Sequence, residues 1–217
     1  MLEVAGIALL PEWPVFLSFA LAGLALNIVP GADMTFIMAA AARGGRRDGV
    51  VAALGIGAGA LAHIFAAVIG LSALLASSQA AFAILKWVGA AYLLYLAFSM
   101  IRGGGGEALG RTLPPAGWRL FRAAALVNLL NPKVALFFLA FLPQFVDPQA
   151  AVPALQILFL GLWFDFAGTI VNCFVAIATA QAAVRLREVR WIGRAARWVA
   201  ATAMGGLAVQ LALSERR

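Results

Sequence analysis

Asn131, Pro132 and Lys133 stand side by side inside an apolar run of about residues 123–142, which is long enough to cross a bilayer. A lysine near the middle of a membrane helix costs roughly 2.5–3.5 kcal/mol on insertion scales. Proline removes an intrahelical hydrogen bond, and the carbonyl it frees needs another partner. Three such residues in a row read as a site; the alternative is a lysine that snorkels to an interface from a short or tilted helix. A second interruption, Asn27-Ile28-Val29-Pro30-Gly31-Ala32-Asp33, lies in an earlier apolar run. A broken helix exposes amide N–H groups on one half and carbonyls on the other, at membrane depth. The N–H end favours a carboxylate, and the carbonyl end or an acidic side chain favours an ammonium. A zwitterionic amino acid carries both groups. The candidate binding residues are therefore Asn27, Pro30, Gly31 and Asp33 with Asn128, Asn131, Pro132 and Lys133. Asp33 and Lys133 are expected to be linked, directly or through one water, with substrate competing for the link.

His63 and Asp165 lie in the apolar runs that follow each break, and both can take and release protons. They are the candidates for proton coupling, Asp165 first and His63 second. Simpler roles exist for some of these groups. His63 could hydrogen-bond across a helix interface, Asp33 could cap its own helix, and the asparagines could satisfy backbone groups at the breaks.

The elements that would carry these residues are membrane helices. Of 217 residues, 64% are hydrophobic and 12% charged, against about 45–50% and 25% in soluble domains. The mean hydropathy is +0.97. This is an all-α, polytopic membrane protein forming a single membrane domain over residues 1–217. The net charge of +7 does not indicate nucleic acid, because the basic residues sit in short segments between apolar runs, as orientation signals do. The single cysteine, Cys173, lies in an apolar run and excludes an intrachain disulfide. The amino-terminal stretch has no basic region of the signal-peptide kind, so the first span is expected to act as its own signal.

Six spans are expected, at about residues 13–42, 50–75, 82–101, 123–142, 152–183 and 198–213. A Gly- and Pro-rich linker at about 102–118 separates a first repeat, 13–101, from a second, 119–213. A five-span version with one re-entrant segment stays open. Gly55, Gly59 and His63, spaced by four, form a face on which another helix can lie close. The 1/2, 3/4 and 5/6 connections hold almost all the arginines, which predicts those connections inside and both termini outside.

The two halves echo one another. Asn27-x-x-Pro30 is matched by Asn128-x-x-Asn131-Pro132 at an offset of 101, and Gly59-x-x-x-His63 by Gly161-x-x-x-Asp165 at 102. Lys86-Trp87-Val88 reappears as Arg197-Trp198-Val199 at 111. Three-span halves must be inverted, and interrupted helices at matched places in inverted halves point to a transporter's central site.

The residues Asn131-Pro132-Lys133, ALFFLAFLPQF at 135–145, Pro30-Gly31 with Asp33, GIGAGALAH at 55–63 and GAAYLLYLAF at 89–98 resemble the LysE/RhtB family of amino-acid efflux proteins, over nearly the whole chain. One departure is visible, since the family's Pro-Gly-Pro is Pro30-Gly31-Ala32 here. The resemblance implies a proton-motive-force-driven exporter of amino acids or their derivatives in the cytoplasmic (inner) membrane. Members differ in substrate, among them basic amino acids, threonine and homoserine lactone, and leucine and related compounds. The partners expected are a small amino acid and the lipid bilayer, without nucleic acid or cofactor; a homo-oligomer is left open. A heavy-metal exporter of the wider superfamily would favour soft ligands, and one Cys, one His and five Met argue against it. An enzyme reading finds no HExxH, no G-x-S-x-G and no paired cysteines, and buried charges argue against a purely structural membrane subunit.

Overall fold

A computed structural model describes residues 11–77, 116–147 and 150–185, a two-strand ribbon of Glu3–Val4 (β1) and Ile7–Ala8 (β2), and single positions at 87, 91, 98 and 202. The third and sixth expected spans, with most of the 102–118 linker, lie outside the described residues. What is described in the bundle is helical. α1 is Trp13–Ile28, α2 Ala32–Ser77, α3 Trp118–Leu129, α4 Pro132–Leu136 and α5 Pro153–Arg185. A π-helical turn at Phe137–Phe141 and a 3₁₀ turn at Leu142–Phe145 prolong α4.

The expected basic turn between spans one and two contains no open loop. α2 reverses at one residue, Gly45, whose φ of 71° lies in the left-handed region that favours glycine. Residues 41 and 49 meet across this reversal, where a Cβ added to Gly49 would overlap the Ala41 side chain. Asp48, 7% exposed, is held under the turn by Arg43 Nη2 at 3.5 Å. Span one is thus α1 plus the first arm of α2, and span two is the second arm. Span four is α3 and the α4 segment, which meet at a bend of 48°.

Burial fixes the relative direction of the spans. One core cluster joins Phe19 and Leu26 of α1 to Phe137, Phe141 and Phe145 at the far end of span four, and Ile64 to Ile157, Leu160 and Phe164. The other joins Ile37, Ala40 and Ala41 to Leu120 and Ala124 at the near end of span four, and Ala52, Ala53 and Ile56 to Ala176 and Ala180. Early residues of span one therefore share a layer with late residues of span four, and early with late again for spans two and five. Each pair runs antiparallel. One end of the bundle is aromatic, with Phe137 stacked on Phe164 at 4.3 Å between centroids; the other is built of alanine. Arg43, Arg46, Arg47, Arg119 and Arg122 flank the alanine-rich layer, whereas Glu12 and Asp147 flank the aromatic one.

Alanine and glycine allow close approach at that end. Side chains added at Gly55 and Gly59 would run into the backbone carbonyls of Phe121 and Ala125 on α3, and one at Gly57 into Thr169 on α5. The second arm of α2 is thus wedged between α3 and α5. Gly59→Val is expected to destabilise the protein by about 1–3 kcal/mol through overpacking, read as a lower Tm of the purified chain. Gly70→Val is the control, because nothing lies within 4 Å of a Cβ there; equal shifts for both would remove the close α2–α3 contact as the cause.

Candidate functional site

Each break is made by a proline and repaired by a side chain from elsewhere. Pro30 cannot donate to the carbonyl four residues back, Leu26 O, and Pro132 cannot donate to Asn128 O. In both places the residue before the proline closes a shorter turn, Val29 N to Leu26 O at 3.2 Å and Asn131 N to Asn128 O at 2.8 Å. The second lone pair of each carbonyl is taken by a charged or titratable side chain. Lys133 Nζ donates to Leu26 O at 3.0 Å and to Val29 O at 2.9 Å. His63 Nε2 lies 3.1 Å from Asn128 O, which only accepts, so the imidazole carries its proton on that nitrogen. The ring is stacked on Phe138, 7° from parallel.

Lys133 sits in the first turn of α4, where the helix dipole disfavours a cation, and reaches across to the carbonyl end of α1, where the dipole favours it. Asp33 sits in the first turn of α2, where an anion is favoured. It crosses in the opposite sense, accepting from Asn128 Nδ2 at 2.8 Å. Each charge is therefore anchored at the other half's break. Asp33 is not the cap of its own helix; its hydrogen bond goes to span four.

Span four is broken at Asn131-Pro132, as the sequence had suggested, with Pro132 opening the second piece. It is the first residue of α4, a position where the missing N–H costs nothing. Asn131 is the N-cap, its Oδ1 accepting from Lys133 N at 3.0 Å. Its Nδ2 is turned toward Asp33 but outside hydrogen-bond geometry. Of the expected link between Asp33 and Lys133, direct or through one water, the direct form is not made. Their long side chains diverge to opposite breaks, with Asn131 between them.

Asp33, His63, Asn128, Asn131 and Lys133 are brought together, with the stem of Lys133 passing over Gly31. Asn27 and Asp165 are not. Asn27 Nδ2 donates to Phe164 O at 3.3 Å and packs on Gly168 of α5. The freed carbonyls of Leu26 and Asn128 stand 102 positions apart, so the offset of 101 that paired Asn27 with Asn128 misses the structural match by one residue. Asp165 lies beside Thr169, one turn on, and both face Gly57. Sequence reasoning missed the backbone carbonyls of Leu26 and Val29, which no side-chain pattern reveals, and Phe138 beneath His63.

Three polar atoms of the cluster, Asp33 Oδ1, Asn128 Oδ1 and Asn131 Nδ2, are buried without a hydrogen-bond partner. Such atoms cost about 1–3 kcal/mol each, and their concentration at one place makes this cluster the candidate site. A cleft of ≈ 550 Å³ between the second arm of α2 and α3 is a different feature, lined by Ala58, Ala62, Arg119, Arg122, Leu126 and Leu129 among others and by none of the cluster.

Comparison with known proteins places this geometry. The homoserine/homoserine lactone efflux protein of Salmonella typhimurium is 34% identical over 184 residues, covering 83% of this chain and 84% of that protein. Its counterpart in Salmonella typhi is 33% identical over 184 residues, with the same shares covered. An uncharacterized membrane protein of Pseudomonas aeruginosa is 31% identical over 179 residues, covering 80% and 83%. No solved structure matches the chain. The model of the LysE type translocator family matches residues 24–215, a stretch that contains both breaks and every member of the cluster, and the chain belongs to that family.

Proposed function

We propose that this protein exports a small amino acid or amino-acid derivative, of the homoserine and homoserine-lactone kind, across the cytoplasmic membrane at the expense of the proton motive force. The observation that carries the reading is the crossed pair of breaks. Two interrupted spans meet with a half-buried acid and a half-buried cation between them, each bonded to the other's interruption. Nothing in the packing of a static bundle calls for that arrangement, and an alternating site needs contacts that can be exchanged. The relatives named for homoserine and homoserine lactone supply the substrate kind. Asp165 is the proposed proton carrier. His63 acts beside it by holding the carbonyl that Pro132 frees.

The test is uptake of labelled L-homoserine into inside-out vesicles energised by respiration. Accumulation that depends on the protein and collapses with a protonophore is expected. Protein-dependent uptake that ignores the protonophore would remove the coupling, and its absence for homoserine, its lactone and a panel of other amino acids would remove the function. The clustering of described arginines at the alanine-rich end supports that end as cytoplasmic. A cysteine introduced at Ser78, with Cys173 replaced, should then react with an impermeant thiol reagent in intact cells; reaction at Gly104 instead would reverse the orientation.

A further inference from the structure

The three unpartnered atoms define what the site can hold. Asn128 is 2% exposed and Asn131 4% exposed. The orientation of each amide is set by the bond its other end makes. Asn128 Nδ2 donates to Asp33 Oδ2, leaving Asn128 Oδ1 as an acceptor. Asn131 Oδ1 accepts from Lys133 N, leaving Asn131 Nδ2 as a donor. Asp33 Oδ1 is a second acceptor, and it carries charge. The complement of this set donates twice and accepts once, with a positive charge on the donating side. An α-ammonium with a carboxyl oxygen three bonds away has that pattern.

Lys133 fits the set poorly as a reader of substrate. Two of the three ammonium N–H groups are held by Leu26 O and Val29 O, which belong to the carbonyl end of α1. Turning the ammonium to a substrate carboxylate would strand Val29 O at membrane depth and leave Leu26 O with only the long bond from Val29 N. Its charge balances Asp33 across the cluster while its donors keep the first break closed.

Resting on the export reading above, we propose that the substrate's head group is bound by Asp33, Asn128 and Asn131, the ammonium on Asp33 Oδ1 and Asn128 Oδ1 and the carboxyl oxygen on Asn131 Nδ2, with Lys133 as a positioning residue that does not touch it. The carboxyl end is then read by a neutral amide donor, which serves a carboxylate and a lactone carbonyl alike. The amino end is read by an anion, which an acylated nitrogen cannot satisfy because it is uncharged and has a single N–H.

Competition against labelled L-homoserine on the purified full-length protein in nanodiscs tests this, with L-homoserine lactone and N-acetyl-L-homoserine as competitors. The lactone should compete and the N-acetyl compound should be weaker by tenfold or more, since a hydrogen bond to a charged group is lost. Asn131→Asp keeps the N-cap and puts an anion where the carboxyl oxygen would lie. It should weaken homoserine about tenfold more than the lactone. Asn131→Ser, also a good cap, should weaken both to similar extents, which separates loss of the donor from repulsion. A homoserine-to-lactone ratio unchanged in Asn131→Asp would overturn the carboxyl assignment, and full competition by the N-acetyl compound would overturn the ammonium assignment. Wild-type protein that binds none of the three would instead overturn the substrate reading on which the assignment rests.

Discussion

Lys133→Gln should abolish export, Asp33→Asn should nearly do so, and the double variant should recover stability that either single variant loses. Lys133 and Asp33 are the cation and anion of one buried cluster, held at opposite breaks. Removing one partner of such a set is strongly destabilising, about 3–5 kcal/mol in soluble proteins, because a charge is left uncompensated. Lys133→Gln has a further effect. A neutral, shorter glutamine amide cannot replace both ammonium contacts, and Val29 O, which has no backbone bond to fall back on as Leu26 O has, is the carbonyl most exposed to the loss. Thermal unfolding of the purified variants, combined as a double-mutant cycle, measures the coupling, for which an interaction of roughly 1–3 kcal/mol is expected. Transport should stay absent in the double variant, because the ligand site has lost its anion. Additive effects on Tm would show that the two charges do not compensate each other, and wild-type export by Lys133→Gln at normal expression would remove Lys133 from the site.

Asp165→Asn should separate export from energy. The carboxylate stands apart from the cluster, with Thr169 and Gly57 as its neighbours, so its removal leaves the five clustered residues in place. Downhill efflux of homoserine from loaded cells is expected to continue at a rate within a few fold of wild type. Accumulation in energised inside-out vesicles should be lost, a change of about tenfold or more at a typical proton motive force. A variant that still concentrates substrate and is still collapsed by a protonophore would place the proton elsewhere, with His63 the next residue to replace. His63→Gln keeps a donor for Asn128 O and so tests titration without undoing the repair of the second break.

What could be read from the chain beforehand was the position and chemistry of the interruptions. Asn-Pro-Lys in an apolar run is visible because each residue is expensive there, and the Gly55–Gly59–His63 spacing is visible because helical faces recur every four residues. The antiparallel pairing of spans one and four follows from the parity of the halves. The partners of Lys133 were not legible, because a carbonyl belongs to every residue and only the fold decides which ones are freed and reached. The same holds for Asp33, whose partner Asn128 is distant in sequence and carries no mark of the pairing. The break of span four at Pro132 was legible, and Asn followed by Pro also marks the start of its second piece. The π-helical turn at Phe137–Phe141 has no sequence signature among residues that are nearly all aromatic or aliphatic. Asn27 was drawn into the site by an alignment one residue out of register, which apolar sequence tolerates because so many neighbours look alike.

The one-residue reversal at Gly45 bears on how the protein reaches the membrane. With no open loop between its arms, α2 ties span one to span two through the short basic turn of residues 43–48, and the two would enter the bilayer as a closely joined pair. On the orientation proposed above, the three arginines at 43, 46 and 47 would stay with the turn on the cytoplasmic side and anchor that pair. Asp48, tucked under the turn and bonded to Arg43, neutralises part of this charge only once the turn has closed. On that orientation the basic signal would be strongest in the nascent chain and weaker in the folded protein, and the segment would serve first as an address and afterwards as a clasp.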